Sequence, residues 1–267
     1  MYRHKVVFIT GAAGGIGSAL CRRFGREGAR IAMLDLNSEA LDAEAESLRS
    51  ESIQILTVPC DITDQAACEA AVSLTVSRWG GIDVLVNNAG ITHFSLFERT
   101  GPDVCRKVMD VNFFGAVYCT KAALPHLAKR QGRIVVVSSV AGFAPLLARS
   151  GYCASKHALH GFFDTLRCEL KRHGVSVTVV CPSFTESKLE TTALAGDGSR
   201  AGAGRSKLGA MATPDEVAEA LYRATTRRRS FVVLSGLGKT SWWVRTFAPR
   251  VFDAFMSRSF RSEFDRI

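Results

Sequence analysis

The eight cysteines at positions 21, 60, 68, 105, 119, 153, 168 and 181 include no C-x-x-C pair. Most sit inside apolar segments, so buried, reduced thiols in a cytoplasmic protein are expected rather than disulfides or a metal site. Long apolar runs are missing too. The longest uncharged stretch, Ile134 to Ala148, carries Ser, Gly and Pro and is too short to span a bilayer, which argues against an integral membrane protein. After Arg3, His4 and Lys5 only Val6 to Ile9 are apolar before Thr10-Gly11, so no secretory signal is expected. There is no long biased tract, and disorder is expected only locally.

What is present is a chain of 267 residues with a net charge of +9. Residues 227–267 hold nine Lys/Arg against Asp253, Glu263 and Asp265, so six of the nine charges belong to the last 41 residues. The body is close to neutral, and nucleic acid is not an expected partner.

Short β-branched runs alternate with helix-length segments. Strands are expected over Lys5–Thr10, Arg30–Asp35, Ile53–Cys60, Ile82–Asn87, Arg133–Ser139, Val175–Cys181 and Phe231–Ser235. Helices are expected over Ile16–Glu27, Glu39–Ser50, Asp64–Trp79, Pro102–Arg130 with a break left open, Tyr152–His173 and Pro214–Thr226. Strands that are apolar throughout need cover on both faces, which implies an α/β fold with a Rossmann-type, doubly wound, parallel seven-stranded sheet. One domain over residues 1–238 uses most of the chain, with a C-terminal amphipathic extension over 239–267. Thr213-Pro214-Asp215-Glu216 predicts a capped helix start. A Gly/Ala/Ser-rich segment around 187–212 reads as a lid or a disordered loop.

The first strand runs into TGAAGGIG, Thr10 to Gly17. Glycines there let the backbone turn tightly and bring amides against a pyrophosphate at a helix N-terminus. Gly11, Gly14 and Gly17 fit one spacing and Gly11, Gly15 and Gly17 another, with Ile16 between. The second strand ends at Asp35-Leu36-Asn37, eighteen residues past Gly17, where an acid accepts both ribose hydroxyls of adenosine and repels a 2′-phosphate. No base stands at Gly14, Leu36 or Asn37, so NAD is expected over NADP.

Asn87-Asn88-Ala89-Gly90 closes the fourth strand, and Ser139 precedes Gly151-Tyr152-Cys153-Ala154-Ser155-Lys156 by thirteen residues counted to the tyrosine. With Asp61-Ile62 and Asn112 this ordered set resembles the short-chain dehydrogenase/reductase family over residues 5–235. Tyr152 and Lys156, four apart on a helix, share one side. An ammonium beside a phenol favours the phenolate, so the tyrosine pKa is expected to fall from about 10 toward working pH. Tyr152 then acts as acid in ketone reduction and base in alcohol oxidation. Ser139, at the carboxyl edge of the sheet, is expected to hydrogen-bond the reacting oxygen, Ser138 pointing to the opposite face. The resemblance further implies that Lys156 holds the nicotinamide ribose and that Asn112 holds a water relaying protons to Lys156, although a structural asparagine fits Asn112 nearly as well. It implies that Asp61 and Ile62 flank the adenine and that Asn88, Ala89 and Gly90 line the adenosine side. It also implies that the segment from Pro182 through Thr185 to Ser187 meets the nicotinamide carboxamide. There Ser183 replaces the family's glycine and Ser187 its threonine.

His93, Phe94, Phe143 to Leu147 and Phe184 are expected around the reacting oxygen, and their mostly apolar character points to a hydrophobic secondary alcohol or ketone of steroid, retinoid, terpenoid or fatty type. No metal site is expected, since His93, His157 and His160 lack a carboxylate at ligand spacing. Alternatives are a β-ketoacyl thioester reductase, a catalytically silent nucleotide-binding scaffold, and a sugar-nucleotide epimerase, for which 267 residues leave little room. Against the first, the seventh strand ends in Leu234-Ser235-Gly236-Leu237 and 30 residues follow.

Those residues include two tryptophans, four phenylalanines and three arginines within Ser241 to Phe260. From Pro249 a helical projection groups Val251, Phe252, Phe255, Met256 and Ser259. That apolar face has three destinations: the chain's own domain, a second subunit, or a membrane surface. The resemblance implies a homodimer or homotetramer; the cysteine usage points to a cytoplasmic location, and the C-terminal helix leaves peripheral membrane contact open.

Overall fold

Seven parallel strands build one sheet in the order β3-β2-β1-β4-β5-β6-β7. They are β1 (Val6–Thr10), β2 (Arg30–Asp35), β3 (Gln54–Pro59), β4 (Val84–Asn87), β5 (Arg133–Val137), β6 (Ser176–Cys181) and β7 (Phe231–Val233). The structure is a computed structural model and describes residues 1–186, 189, 191–201 and 211–259. Strand order reverses between β1 and β4, and open α/β sheets of this kind bind ligands outside the carboxyl ends of the strands at that point.

Helices α1 (Gly15–Gly25), α2 (Ser38–Ser50) and α7 (Pro214–Thr226) cover one face of the sheet. Helices α3 (Gln65–Trp79), α5 (Gly115–Lys129) and α6 (Ser150–Leu170) cover the other. The alternation of side chains along each strand feeds two cores: Phe8, Leu34 and Leu85 enter one, and Val7, Ile9 and Met33 the other. Strands β1 and β4 are wholly buried, whereas the edge strands β3 and β7 are partly exposed. The expectation of seven buried strands is corrected there, because an edge strand lacks a neighbour on one side.

Local chemistry sets the helix ends. Asn37 Oδ1 accepts from the Ala40 amide at 2.9 Å to open α2. Asp64 Oδ1 accepts from the Ala66 amide at 2.8 Å to open α3. At α7 the expected capping box is complete: Thr213 Oγ1 accepts from the Glu216 amide at 3.2 Å, and Glu216 Oε2 accepts from the Thr213 amide at 2.8 Å.

The segment Pro102–Arg130 is helical throughout but not uniform. Helix α4 (Pro102–Met109) passes through a π-helical turn, Asp110–Phe114, into α5. Such turns are commonly found at functional sites, and Asn112 lies in this one.

Asp83, immediately before β4, ties the amino end of the sheet together. Its Oδ2 accepts from the Val6 amide at 2.9 Å and from Arg130 at 2.6 Å, and its Oδ1 accepts from Lys5 at 3.0 Å. Burial pushes this carboxyl upward, but the Val6 amide and the two cations outweigh it and hold the pKa below the usual range.

The expected strand Phe231–Ser235 stops at Val233, since Ser235 instead caps a helix: its hydroxyl accepts from the Gly238 amide at 2.9 Å. Helix α8 (Gly236–Phe247) therefore runs across the expected domain boundary at 238, and α9 (Pro249–Ser259) follows.

Candidate active site

The loop between β1 and α1 is held open for a ligand by its glycines. Gly11 has φ +63°, and a Cβ on it would meet Ala89 Cα at 2.8 Å. A Cβ on Gly17 would fall 2.0 Å from the Gly11 carbonyl oxygen, so loop and helix approach closely only because both lack side chains. Gly14 contributes no side-chain cap, and the first turn of α1 contains no acid. The first-turn amides of α1 have no intrahelical acceptor and form a positive helix end at the cavity wall.

Neighbouring segments fix this loop. Thr10 Oγ1 accepts from the Asn88 and Ala89 amides at 3.0 and 3.1 Å, and Asn88 Nδ2 donates to the Thr10 and Gly11 carbonyls at 2.9 and 3.1 Å. Asp35 Oδ2 accepts from the Ala13 amide at 3.1 Å, and its Oδ1 accepts from the Asn37 amide at the same length. The carboxylate thereby braces the loop while still lining the cavity. Cys60, Asp61 and Ile62 line it farther along; Asp61 Oδ1 is engaged by the Thr63 amide and hydroxyl at 2.9 and 2.7 Å. Gly15, Ile16, Gly17, Leu36, Asn88, Ala89 and Gly90 also border it. No cation stands near Asp35 among Ala13, Gly14, Leu36, Asn37 and Ala40.

At the other end of the same cavity, of about 650 Å³, lie Ser139, Tyr152 and Lys156. Ser139 leaves the end of β5 and accepts from the Ala141 amide at 3.2 Å. Its hydroxyl neighbours the Tyr152 phenol and favours the ionised form of that phenol. Ser138 also borders the cavity, but its hydroxyl is engaged 2.8 Å from His160 Nε2. Lys156 is buried and donates to the Val137 carbonyl at 2.9 Å.

Burial, the dominant influence on both groups, raises the Tyr152 phenol and lowers the Lys156 ammonium to about 8. Ser139 and Arg149 only partly offset the rise at Tyr152. The expectation that Lys156 draws the phenol downward is therefore corrected. The lysine is turned to the Val137 carbonyl, its Nζ 5.6 Å from the centre of the Tyr152 ring, and desolvation wins.

Asn112 lies behind this pair rather than on the cavity wall. Its Oδ1 accepts from the Ile91 amide at 2.8 Å, and its Nδ2 donates to the Ile91 carbonyl at 3.0 Å and to Ser155 Oγ at 2.9 Å. A Cβ on Gly90 would lie 3.1 Å from Asn112 Oδ1 and 3.7 Å from Lys156 Nζ, so the three positions converge. Pro182 and Thr185 border the cavity after β6, and Thr185 bridges to Ala212. Ser187 lies outside the described residues, as do Lys188, Glu190 and 202–210 of the expected lid.

Of the residues expected around the substrate, Ala144, Pro145, Leu146 and Phe184 border the cavity, whereas His93, Phe94 and Phe143 do not. His93 is fully buried, and its Nε2 accepts from the Gly151 amide at 2.9 Å, bracing the start of α6. Phe94 lies under the Arg149 guanidinium at 5.7 Å. Phe143 packs edge-on to Phe231 and beside His160. Those three are drawn away by packing that sequence spacing does not reveal. Half-buried His160 has its pKa lowered to about 4 by desolvation and is a neutral partner of Ser138. No cluster of metal-ligating side chains occurs among the described residues.

The apolar chamber is further walled by Arg149, Leu189 and Thr192, and closed by Leu237 of α8 and by Phe252, Phe255 and Met256 of α9. Phe252 and Met256 pack with Ala144, Leu146, Leu147 and Val244. The sequence signal for this closure is the apolar arc from Pro249. Helix α8 itself is hidden by glycines at its start.

Comparison with known proteins places this geometry. The chain is 37% identical over 269 residues to dehydrogenase/reductase SDR family member 7B of Bos taurus, covering 98% of this chain and 83% of that protein. It is 38% identical to the protein of the same description from Xenopus tropicalis, over 97% of this chain and 86% of that one. A solved short chain dehydrogenase/reductase from Burkholderia phymatum, in complex with NAD, shares the fold with a TM-score of 0.84 at 22% identity, over 94% of this chain and 95% of that one. The short chain dehydrogenase model matches residues 5–197, and the chain belongs to the short-chain dehydrogenase/reductase family of oxidoreductases.

Proposed function

We propose that this oxidoreductase interconverts a secondary alcohol and a ketone on a hydrophobic molecule of steroid, retinoid, terpenoid or fatty type, with NAD(H) preferred over NADP(H). The observation that carries the reading is continuity: one cavity joins the glycine loop and Asp35 to the Ser139–Tyr152 pair and then to an apolar chamber.

The residues present fit a dinucleotide. The side-chain-free cradle at Gly11 and Gly17 and the uncapped start of α1 suit a pyrophosphate, and Asp35 suits a ribose diol. Among the described residues beside Asp35, Ala13, Gly14, Leu36, Asn37 and Ala40 offer a 2′-phosphate no cation. Asp61, Ile62 and Asn88 to Gly90 would hold the adenosine, and Pro182, Thr185, Tyr152 and Lys156 the nicotinamide end. When bound, the dinucleotide supplies a hydride for ketone reduction or accepts one in alcohol oxidation.

Tyr152 does the proton work. With its phenol pushed up by burial, it keeps its proton at neutral pH and can give it to the oxygen of a ketone as the alcohol forms. Ser139 donates to the same oxygen and holds it in place while negative charge develops. Lys156, still largely protonated at neutral pH, supports the phenolate left behind. Asn112 positions Ile91 and Ser155 around the lysine.

In this reading residues 1–238 hold the catalytic apparatus and the extension shapes access to it. Exposed Phe97 and Phe114, near α4 and α5, offer the apolar surface on which a homodimer or homotetramer would build. The test is a screen of hydrophobic alcohols and ketones with NAD(H), read by absorbance of the reduced nicotinamide. Turnover of bulky apolar ketones supports the proposal, and activity confined to small polar sugars overturns it.

A further inference from the structure

Helices α8 and α9 divide their apolar side chains between two sides. Phe252 and Met256 turn inward and are 6% and 9% exposed. Trp243, Phe247, Val251 and Phe255 are 57%, 71%, 64% and 59% exposed. With Leu237, they make up five of the ten large hydrophobic side chains exposed among the described residues, so the concentration in these two helices is not the scatter of an ordinary surface. Trp243 and Phe247 stack at 5.2 Å and 19°, presenting a flat aromatic face rather than folding onto the domain.

The same helices carry Lys239, Arg245, Arg250 and Arg258 against one acid, Asp253, which lies 4.0 Å from Arg245. This charge selects among possible occupants. A second copy packed face to face would oppose like charges, whereas an anionic lipid surface is complementary. Aromatic and basic residues interleaved on short helices also suit the headgroup boundary, where rings enter the acyl region and cations stay in water.

The patch adjoins the substrate cavity, because Leu237 and Phe255 are both exposed and on its wall. We propose that α8 and α9 form a docking surface for an anionic lipid bilayer, seated at the mouth of the substrate cavity. A hydrophobic substrate dissolved in the bilayer then enters without crossing water. The role in substrate delivery rests on the hydrophobic-substrate reading above; the docking itself does not.

Flotation of the full chain with phosphatidylcholine vesicles, with and without phosphatidylglycerol, tests docking without any substrate, so its failure is distinct from failure of the catalytic reading. The wild type is expected to float with the anionic vesicles, less so in high salt, and poorly with phosphatidylcholine alone. A Trp243→Gln/Phe247→Gln variant should bind at least about tenfold more weakly, since it removes two exposed aromatic side chains. Its turnover of a water-soluble ketone should be unchanged, which also shows that it folds. Absence of flotation by the wild type, equal flotation by the variant, or equal binding to neutral vesicles overturns the proposal. So does sedimentation showing a dimer that the variant converts to monomers, which would make this face a contact between copies.

Discussion

Replacing Lys156 with methionine should separate stability from function in a pH-dependent way. The ammonium is buried, and its pKa is lowered from 10.5 to about 8. At roughly 1.4 kcal/mol per pKa unit, holding it charged in the fold costs about 3 kcal/mol. Methionine of similar length removes that cost but leaves the Val137 carbonyl without its donor, a loss of about 1 kcal/mol. At pH 7 the variant should therefore be about 2 kcal/mol more stable than the wild type. Between pH 8 and 10.5 the unfolded wild-type chain keeps a proton that the fold has released, so wild-type stability rises relative to the variant. Above pH 10.5 the order should invert, the variant being about 1 kcal/mol less stable. Paired urea denaturations at pH 7, 9 and 10.5 read this directly, and turnover should fall by about 10²-fold or more. A variant less stable at pH 7, or a stability difference that does not move with pH, would refute the buried-ammonium reasoning.

Other residues yield sharper local tests. Asp35→Ser should weaken NAD binding and narrow the preference over NADP by about tenfold or more, measured as kcat/KM for each cofactor; an unchanged ratio would show that Asp35 merely braces the Ala13 amide. Asp83→Asn should cost about 3 kcal/mol by leaving Lys5 and Arg130 without their shared carboxylate. Because the wild-type carboxyl is held low, its contribution is present above about pH 4 and is lost as pH falls through the folded-state value, so the variant should show less acid lability over that window in denaturant titrations. Phe252→Ala should loosen α9 rather than unfold the sheet: faster amide exchange in residues 249–259 and a raised KM for hydrophobic substrates, with NAD affinity unchanged.

The sheet was legible because its determinants are local. Apolar runs such as Val6–Thr10 and turn glycines such as Gly11 state strand and loop without reference to anything distant. The convergence of Ser139, Tyr152 and Lys156 on one cavity was legible for a related reason, since β-strand ends and an i, i+4 pair fix where these side chains must emerge. The apolar wall of the cavity was legible only in part, at Ala144 to Leu146 and Phe184. His93, Phe94 and Phe143 follow the motifs in sequence, but each is captured by a tertiary partner, respectively the Gly151 amide, Arg149 and Phe231. The rest of the wall comes largely from α8 and α9, more than eighty residues after Tyr152, and Ser235 reads as the end of a strand until its hydroxyl is seen capping α8. The Tyr152 pKa failed for a different reason: spacing put a cation nearby, but desolvation is a property of the whole packed environment.

The most direct test of the catalytic reading is single-turnover hydride transfer from NADH to a hydrophobic ketone by the wild type and by Tyr152→Phe, with NADH binding measured separately by fluorescence. The account predicts that the wild type oxidises NADH while the phenylalanine variant binds it with similar affinity and transfers hydride at least about 10²-fold more slowly. Equal rates in the two proteins would contradict it.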